Sequence, residues 1–275
     1  MLKFSVLMSL YIKENPQYLK ATFDSLLVQT RKPDEIVLVK DGLLTDELNS
    51  VVTAFSNQYE SLVIIENQAN LGLSESLNKG LKACRYELVA RMDTDDICKE
   101  ERFEKQIDFM LKHEDVDVLG TWAKKIDNSG NVFGNLTVPT THSEIHKLIW
   151  TCPFIHPTVM FKKTSILKVG SYNADAGPRQ DDYDLWFRCA FDGLKFANIP
   201  EYLLFYRFND DTVLKNNYKV GLARAKVGYK GLRRLKKGPL AYLGVTVPLI
   251  RSLLPYPLNV WFYKAMNKIN PRNKG

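Results

Sequence analysis

The fold is decided by Glu87-Leu88-Val89-Ala90-Arg91-Met92-Asp93-Thr94-Asp95-Asp96, an apolar run that ends at a group of carboxylates. Residues 88–92 are typical of a buried strand, and open α/β sheets bind ligands just beyond the carboxyl ends of their strands. The three like charges repel one another, so we interpret them as ligands of a divalent cation. Oxygen ligands of this kind suit Mg²⁺ or Mn²⁺. The alternative is a solvated acidic turn that caps the helix starting near Lys99.

Strands and helices alternate from the start of the chain to this run. The predicted order is strand 4–10, a helix from Pro16, strand 35–41, helix 45–58, strand 62–66, helix 74–83 and strand 88–92. Connections this short allow only right-handed crossovers between parallel strands. The pattern therefore predicts an α/β fold, with a mainly parallel sheet flanked by helices on both faces.

Polar residues follow each of these strands. They are Ser9 to Glu14, Asp41, Asn67 to Gly72 and Asp93 to Asp96. In a parallel sheet they lie along one edge, where an acidic side chain could meet a base N–H and a cation could meet a diphosphate. Neither G-x-G-x-x-G nor a P-loop is present, so dinucleotide and P-loop recognition are not supported. Asp41-Gly42 and Asn70-Leu71-Gly72 are also ordinary turn sequences, and that reading stays open.

Length and composition indicate one large domain with an appendage. The chain has 275 residues, of which 45% are hydrophobic and 25% charged, and can bury a sizeable core. Its four scattered cysteines include no C-x-x-C pair, which suits a reducing cytosol and argues against a zinc site. Met1-Leu2-Lys3 leads directly into a strand, so we expect no secretory signal before the fold.

The net charge of +7 hides an uneven distribution. Residues 215–275 carry fourteen Lys/Arg and no Asp/Glu, which leaves 24 basic and 31 acidic residues, a net charge of −7, for residues 1–214. We therefore divide the chain into a domain at 1–214 and a basic region at 215–275. A region of this charge needs an anionic partner.

From residue 99 onward the regular alternation gives way to mixed strands. The predicted elements are a helix at 101–112, strands at 117–122 and 157–161, and a hairpin across Asn128-Ser129-Gly130. We therefore assign residues 1–98 to nucleotide binding and residues 99–214 to the acceptor.

A second acidic group opens a helix in this half. Asp181, Asp182 and Asp184 fall in its first turn, and its apolar positions are Leu185, Trp186 and Phe191. One of these carboxylates could face the crevice as a general base. The alternative is helix capping, for which aspartate is equally suited. The run Gly170 to Pro178 just before the helix is typical of a mobile loop that closes over substrate.

Seven motifs occur together in the order of one enzyme family. They are Ser5-Val6-Leu7-Met8-Ser9, Gln29-Thr30-x-x-Pro33-x-Glu35-Ile36-Val37, Asp41-Gly42, Asn70-x-Gly72-Leu73, Arg91-Met92-Asp93-x-Asp95-Asp96, His156-Pro157-Thr158-Val159-Met160-Phe161 and Asp182-Tyr183-Asp184-Leu185-Trp186. Over about residues 3 to 210 the chain resembles the family 2 glycosyltransferases, inverting enzymes that use nucleotide sugars, particularly those of bacterial O-antigen, capsule and exopolysaccharide synthesis. The resemblance implies the Rossmann-like GT-A fold, with the basic region as a helical appendage.

The resemblance also implies roles on the donor side. The nucleotide sugar would contact Ser9, Tyr11, Glu14, Asp41, Asn70, Gly72, Arg91 and Asp93. Asp41 would bind the uracil of a UDP-sugar, and the loop from Ser9 to Glu14 would cover the nucleoside. Asp95, with Asp93, would hold Mn²⁺ or Mg²⁺ on the diphosphate.

On the acceptor side, the resemblance makes Asp182 the base. The family usually has Glu-Asp where this chain has Asp181-Asp182, so the division of labour between the two aspartates stays open. One base and one metal, without a carboxylate nucleophile, predict inversion of configuration. We expect transfer of a hexose, galactose or glucose, to a lipid-diphosphate-linked saccharide. The oligomeric state stays open.

The histidines have competing interpretations. His156 is either a metal-side contact near the diphosphate or a half-buried core histidine before Pro157, and the core interpretation is favoured slightly. His142 and His146 have helical spacing but no nearby carboxylate, so we expect them to be solvated rather than to bind a metal.

The basic region is predicted to form one or two amphipathic helices, broken at Gly228 or Gly231. Two apolar stretches follow, at 240–250 and 252–263, and each is shorter than the roughly 20 residues of a spanning helix. With interfacial Trp261, Phe262 and Tyr263, we expect them to lie on the inner face of the cell membrane, so that the protein is cytoplasmic and peripherally bound. The alternative is a subdomain that packs on the main domain or on a second subunit.

Two rival functions fit the sequence less well. A sugar nucleotidyltransferase would need a Gly- and Lys-rich phosphate loop near the N-terminus, and the segment from Met8 to Lys13 is not one. A nucleic-acid-binding protein would use the basic region, but no zinc finger or aromatic and basic sheet motif supports it. The apolar stretches of the basic region favour lipid, so we expect no nucleic acid partner.

Overall fold

A computed structural model of the protein describes residues 2–208, 217–255, 258–259, 262, 265–266 and 271–274. In these residues nine strands form one mixed sheet, flanked by helices. The spatial order of the strands is β3-β2-β1-β4-β8-β6-β9-β5, and β7 pairs with β6 at the side.

The first half has the predicted alternation of strands and helices. Its elements are β1 (Phe4–Leu10), α1 (Pro16–Leu27), β2 (Glu35–Lys40), α2 (Asp46–Ser56), β3 (Leu62–Glu66), α3 (Leu73–Ala83) and β4 (Leu88–Arg91). The four strands are parallel, with β1 between β2 and β4. Helices α1 and α2 pack on one face of the sheet and α3 on the other, which confirms the α/β prediction.

The second half extends the same sheet with mixed strands. Its elements are β5 (Ile97–Cys98), α4 (Arg102–Lys112), β6 (Val118–Ile126), β7 (Val132–Leu136), α5 (His142–Lys147), β8 (Met160–Lys162), α6 (Lys163–Lys168), α7 (Asp181–Phe191) and β9 (Phe196–Arg207). The predicted hairpin joins β6 and β7. The strand predicted at 157–161 begins only at Met160, because residues 156–158 form a 3-10 turn.

Helix α7 buries Leu185 and Trp186 completely, as predicted, but the prediction for Phe191 was wrong. The Phe191 side chain is 51% exposed, and the Arg234 guanidinium lies 4.1 Å from the centre of its ring. Phe191 is the last residue of α7, where the helix has passed the edge of the core.

The basic region forms two helices, α8 (Tyr218–Arg234) and α9 (Pro239–Ser252). The predicted break at Gly228 or Gly231 was wrong, since α8 runs through both residues. These glycines let neighbouring elements approach: a Cβ on Gly228 would lie 2.8 Å from Cβ of Val245, and one on Gly231 would overlap the Phe187 ring.

Helices α8 and α9 pack on each other and on the second half, which is the alternative interpretation of this region. Val220, Val227 and Leu232 of α8 are buried, and the Arg224 guanidinium lies 4.1 Å from the centre of the Tyr183 ring in α7. Lys237 donates to the carbonyl of His146. Within the described residues no helix is both long and apolar enough to cross a membrane. The predicted boundary at 214 and the side chains of Trp261 and Tyr263 lie outside the described residues.

Candidate active site

The ends of the parallel strands place the predicted donor residues at one edge of the sheet. Ser9 of β1 pairs with Val39 of β2, and Leu7 pairs with Arg91 of β4. The residues that follow these strands therefore lie side by side, because parallel strands present their carboxyl ends together.

Asp41 holds the turn at residues 70–72 next to strand β2. Its carboxylate is 3% exposed and accepts hydrogen bonds from the backbone N–H groups of Leu71 (2.8 Å) and Gly72 (2.9 Å), and from the side-chain amide of Asn67 (2.9 Å). Gly72 has φ +88°, a left-handed conformation that glycine adopts without strain. A carboxylate has about four acceptor positions, so one on Oδ2 is left for a further N–H. Asn70 is exposed beside this turn.

The loop from Ser9 to Glu14 reaches the acidic group. Burial raises the pKa of the half-buried Tyr11, and the negative charges of Glu14 and Asp95 raise it further. The backbone N–H of Glu14 donates to the Tyr11 carbonyl (3.1 Å), which closes the loop into a turn. Tyr11 therefore lies within electrostatic range of Asp95.

Asp93, Asp95 and Asp96 form the acidic cluster. One carboxylate oxygen from each lies within 4.8 Å of the others. An octahedral Mg²⁺ or Mn²⁺ needs ligand oxygens about 3 to 4 Å apart. The three carboxylate oxygens could bind such an ion if they moved slightly closer together. Burial and the charge of Asp93 raise the pKa of Asp95 to about 6, and burial with both neighbours raises that of Asp96 well above its usual range. A bound cation would reverse this repulsion.

Asp96 belongs to the acidic run that we interpreted as cation ligands, although the resemblance gives it no role of its own. Its Oδ2 is buried without a hydrogen-bond partner among the described residues, while its Oδ1 accepts from the backbone N–H of Arg207 (2.8 Å). One oxygen thus anchors β9 and the other is available. The three acidic positions within residues 93–96 were visible in the sequence, but which oxygen each would offer was not.

Arg91 is a buried cation with unused donors. Its Nη2 pairs with Oδ1 of Asp93 at 2.5 Å, and this partner keeps the pKa of Arg91 raised despite burial. The Nε and Nη1 groups have no partner among the described residues. Because an unpaired buried donor is costly, the guanidinium is suited to an incoming anion.

His156 has the contacts of a core histidine. Its Nε2 lies 2.9 Å from the Tyr172 hydroxyl, and its ring meets the Trp186 ring edge-on. Burial and the charge of Arg91 hold the pKa of His156 well below its usual value, so the ring is neutral. The residues that group as metal ligands are the three aspartates, without His156.

His142 and His146 are half-buried, so the prediction that they are solvated was wrong. The Phe196 backbone N–H donates to Nδ1 of His142, and Lys237 lies 3.2 Å from Nδ1 of His146. Both rings therefore help to hold the surrounding elements together.

Asp181 and Asp182 start α7, as predicted. Asp181 Oδ1 accepts from the Ser74 hydroxyl (2.5 Å), and burial raises its pKa, with a further contribution from Asp182. Asp182 Oδ2 lies 3.5 Å from the thiol of Cys152. Gln180 is the N-cap and makes no side-chain capping bond, while Asp181, Asp182 and Asp184 lie in the first turn, where their negative charges favour the helix dipole. Asp184 also forms a partly buried ion pair with Arg188 (2.7 Å).

One cavity of about 630 Å³ lies between part of the predicted donor residues and α7; Tyr11, Asp41, Asp95 and Asp96 are not among the residues that line it. Arg91 and Asp93 line it from the donor edge, and Asp181 and Asp182 line it from α7. The sequence analysis missed the basic residues of the appendage that also line it, because their charge was assigned to a membrane. They are Arg224, Arg251 and Arg272.

Comparison with known proteins gives relatives over most of the chain. The family model "Glycosyl transferase family 2" matches residues 5–170. An uncharacterized glycosyltransferase of Haemophilus influenzae is 41% identical over 83% of this chain and 84% of its own length. The amylovoran biosynthesis glycosyltransferase AmsE of Erwinia amylovora is 38% identical, over 96% of this chain and 99% of its own. The UDP-Gal:alpha-D-GlcNAc-diphosphoundecaprenol beta-1,3-galactosyltransferase of Escherichia coli is 36% identical, over 96% of each chain.

Solved structures share the fold at low sequence identity. TarS 1-349 of S. aureus, in complex with UDP-GlcNAc, superposes with a TM-score of 0.63 at 17% identity, over 97% of this chain and 88% of that one. The mannosyltransferase PcManGT of Pyrobaculum calidifontis, in complex with GDP-Man and Mn²⁺, has a TM-score of 0.63 at 14% identity, over 97% and 74%. These likenesses support the fold alone.

Proposed function

We propose a donor and an acceptor for this chain from the premise that it belongs to glycosyl transferase family 2. The chain is a glycosyltransferase of bacterial polysaccharide synthesis. In detail, it moves a hexose, galactose or glucose, from a UDP-sugar to a hydroxyl of a lipid-diphosphate-linked saccharide. The printed name of the Escherichia coli relative supports this choice. The observation that carries the proposal is the single cavity lined by Arg91, Asp93, Asp181 and Asp182.

The donor would lie along the edge of the sheet. The free acceptor position on Asp41 Oδ2 suits the N–H of uracil, and Tyr11 would cover the nucleoside. Arg91 offers its unpaired Nε and Nη1 groups to the diphosphate. Asp95 and Asp93, with Asp96 behind them, would hold Mn²⁺ or Mg²⁺, which when bound stabilises the negative charge of the leaving diphosphate.

The acceptor would be activated by Asp182. As the acceptor oxygen attacks the anomeric carbon and the bond to the diphosphate breaks, Asp182 takes the hydroxyl proton. Asp181, fixed by Ser74, would orient the same hydroxyl. A single displacement from the face opposite the diphosphate inverts the configuration, and no second carboxylate nucleophile is required.

A transfer assay tests these roles. Purified protein is offered a panel of UDP-sugars and a GlcNAc-diphosphate-lipid acceptor, with and without Mn²⁺. One donor should release UDP and extend the acceptor, and Mn²⁺ removal should abolish both. Asp95→Asn should lower turnover at least about 100-fold, and Asp182→Asn about 100- to 10,000-fold while UDP still binds.

Asp108→Asn, at an exposed position on α4, is the matched control and should react at the normal rate. Normal turnover by Asp95→Asn would show that Asp95 is not an essential metal ligand. Normal transfer by Asp182→Asn would mean that Asp181, rather than Asp182, is the base.

We also propose that α9 rests on the inner face of the cell membrane. Leu240, Leu243 and Ile250 lie on one stripe of this helix and are 73%, 68% and 49% exposed. The neighbouring α8 supplies exposed Lys226, Lys230 and Arg233. An apolar stripe beside basic residues is the pattern of an interfacial helix, and each basic residue near an anionic surface contributes about 1 kcal/mol.

A further inference from the structure

Gln180 is buried at the wall of the cavity and has an unused hydrogen-bond acceptor. It lines the cavity but is only 1% exposed. Its side-chain Nε2 donates to the Pro178 carbonyl (3.1 Å), and because a carbonyl only accepts, this contact fixes which end of the amide is the nitrogen. The other end, Oε1, has no partner within the part of the chain that the structure describes. A buried acceptor without a donor is costly, so Oε1 is suited to a donor supplied by a ligand.

The place of Gln180 in the fold gives its side-chain oxygen no structural task. Gln180 is the N-cap of α7, where a side-chain oxygen commonly accepts from the first turn, yet it makes no such bond. Its backbone is nevertheless fixed, since its N–H donates to the Gly177 carbonyl (3.2 Å) and its carbonyl accepts from the N–H of Asp184 (2.9 Å). The preceding residue, Arg179, has φ +60°, a conformation that costs energy outside glycine and is found most often at functional sites.

Gln180 adjoins the side of α7 that faces the donor. The next residue, Asp181, accepts a hydrogen bond from Ser74 (2.5 Å), which follows the turn at residues 70–72. Burial raises the pKa of Asp181, and the positive charge of Arg91 opposes that rise, so Arg91 lies within electrostatic range of Asp181. In a nucleotide sugar the sugar is attached directly to the diphosphate. A diphosphate bound by Arg91 would therefore place the sugar between Arg91 and the start of α7.

We propose that Oε1 of Gln180 accepts a hydrogen bond from a hydroxyl of the transferred hexose and so takes part in selecting the donor. The inference rests on the proposed function for its donor class and adds a residue that recognises the sugar. A site whose buried acceptor is paired by a substrate hydroxyl discriminates against an analogue without that hydroxyl, because the acceptor is then left unpaired. Since an amide is uncharged, Gln180 can do this without adding to the negative charge of Asp181 and Asp182.

The test combines a protein variant with a substrate that lacks one hydroxyl. The ratio kcat/KM is measured for UDP-galactose, UDP-glucose and their monodeoxy analogues, with a GlcNAc-diphosphate-lipid acceptor and Mn²⁺. In the wild type, one deoxy analogue should react about 10- to 100-fold more slowly than its parent sugar. Gln180→Met removes the acceptor with little change in size, so it should slow the parent sugar by a similar factor. It should prefer the parent over that deoxy analogue by less than about threefold.

A role in holding the loop alone would give a different result. If Gln180 acted only through its bond to Pro178, Gln180→Met would slow the parent sugar and every deoxy analogue equally. Gln180→Leu is a second variant without the acceptor, in case Gln180→Met does not fold. Gln58→Met is the matched control, because Gln58 is exposed, donates to a backbone carbonyl in the same way (Ala54, 3.2 Å) and precedes β3 at the opposite edge of the sheet. It should alter neither the rates nor the preference.

Equal losses on parent and deoxy sugars would overturn the proposal, and so would a wild type that discriminates against no deoxy donor. Acceptor analogues that each lack one GlcNAc hydroxyl are measured in the same way. A dependence on Gln180 seen only with these would assign the residue to the acceptor sugar and contradict its role in donor selection. A wild type that transfers neither galactose nor glucose would count against the proposed function. Normal transfer without the expected dependence would count against Gln180 alone.

Discussion

Asp41 has an almost buried carboxylate that fixes a turn and, under the proposed function, would also bind the nucleotide. Three donors from residues 67, 71 and 72 occupy most of its acceptor positions and fix the shape of the neighbouring turn. Hydrogen bonds to a charged group contribute about 1.5 to 3 kcal/mol each, so the turn depends on the negative charge. The position left on Oδ2 is available only because the turn has this shape.

Replacing Asp41 by Asn should therefore weaken both the turn and nucleotide binding. The amide would point an N–H₂ group at one of the three donors and leave that donor unpaired. We expect UDP affinity to fall about tenfold or more, and the free energy of unfolding to fall by about 1 to 3 kcal/mol. Calorimetric titration with UDP and urea unfolding measure the two effects.

Asp46→Asn, at an exposed site in the first turn of α2, is the control and should alter neither quantity much. An Asp41→Asn protein with wild-type affinity for UDP would show that this side chain does not contact the base.

The first half of the chain and helix α8 differ in how much of their structure could be predicted from the sequence. The strands and helices of the first half were predictable because they follow from local sequence patterns, as at Leu88 to Asp96. The effect of Gly228 could not be predicted from the sequence, because Val245, the residue that needs its small size, lies on another helix. The placement of Arg224 in the cavity was hidden for the same reason: it depends on packing against Tyr183.

Gly228→Ala should destabilise the protein, although alanine favours a helix by about 1 kcal/mol over glycine. The added Cβ would lie 2.8 Å from two carbon atoms of Val245, and overpacking of this kind costs about 1 to 3 kcal/mol. Urea unfolding measures the difference. Lys226→Ala on the exposed side of α8 serves as the control for helix propensity and should change stability by less than about 0.5 kcal/mol. A more stable Gly228→Ala protein would contradict the packing of α8 on α9.

The molecule as a whole places its basic and apolar surface beside the cavity. Helices α8 and α9 bury Val227, Leu232 and Val245, so removing residues 215–275 would uncover part of the core. Point substitutions on the exposed stripe of α9 are therefore a cleaner test of membrane binding than deletion.

The double substitution Leu240→Asp and Leu243→Asp should release the protein from vesicles that contain anionic lipid. It replaces exposed apolar groups by charges that the bilayer and its negative surface both disfavour. Co-sedimentation should fall at least about tenfold, with the thermal unfolding temperature unchanged. Leu111→Asp, an exposed leucine on α4 (49%), is the control and should sediment as the wild type does. Undiminished sedimentation of the double variant would assign membrane contact to another surface.

The pairing of β4 with β8 has a mechanical consequence. Residues 88–90 of the first half are hydrogen-bonded in register to residues 160–162 of the second half, so the two halves share one backbone ladder. They cannot swing apart about a hinge as two lobes do. Under the proposed function, substrate entry and product exit would then depend on loops outside this ladder, such as residues 9–14 and 170–178.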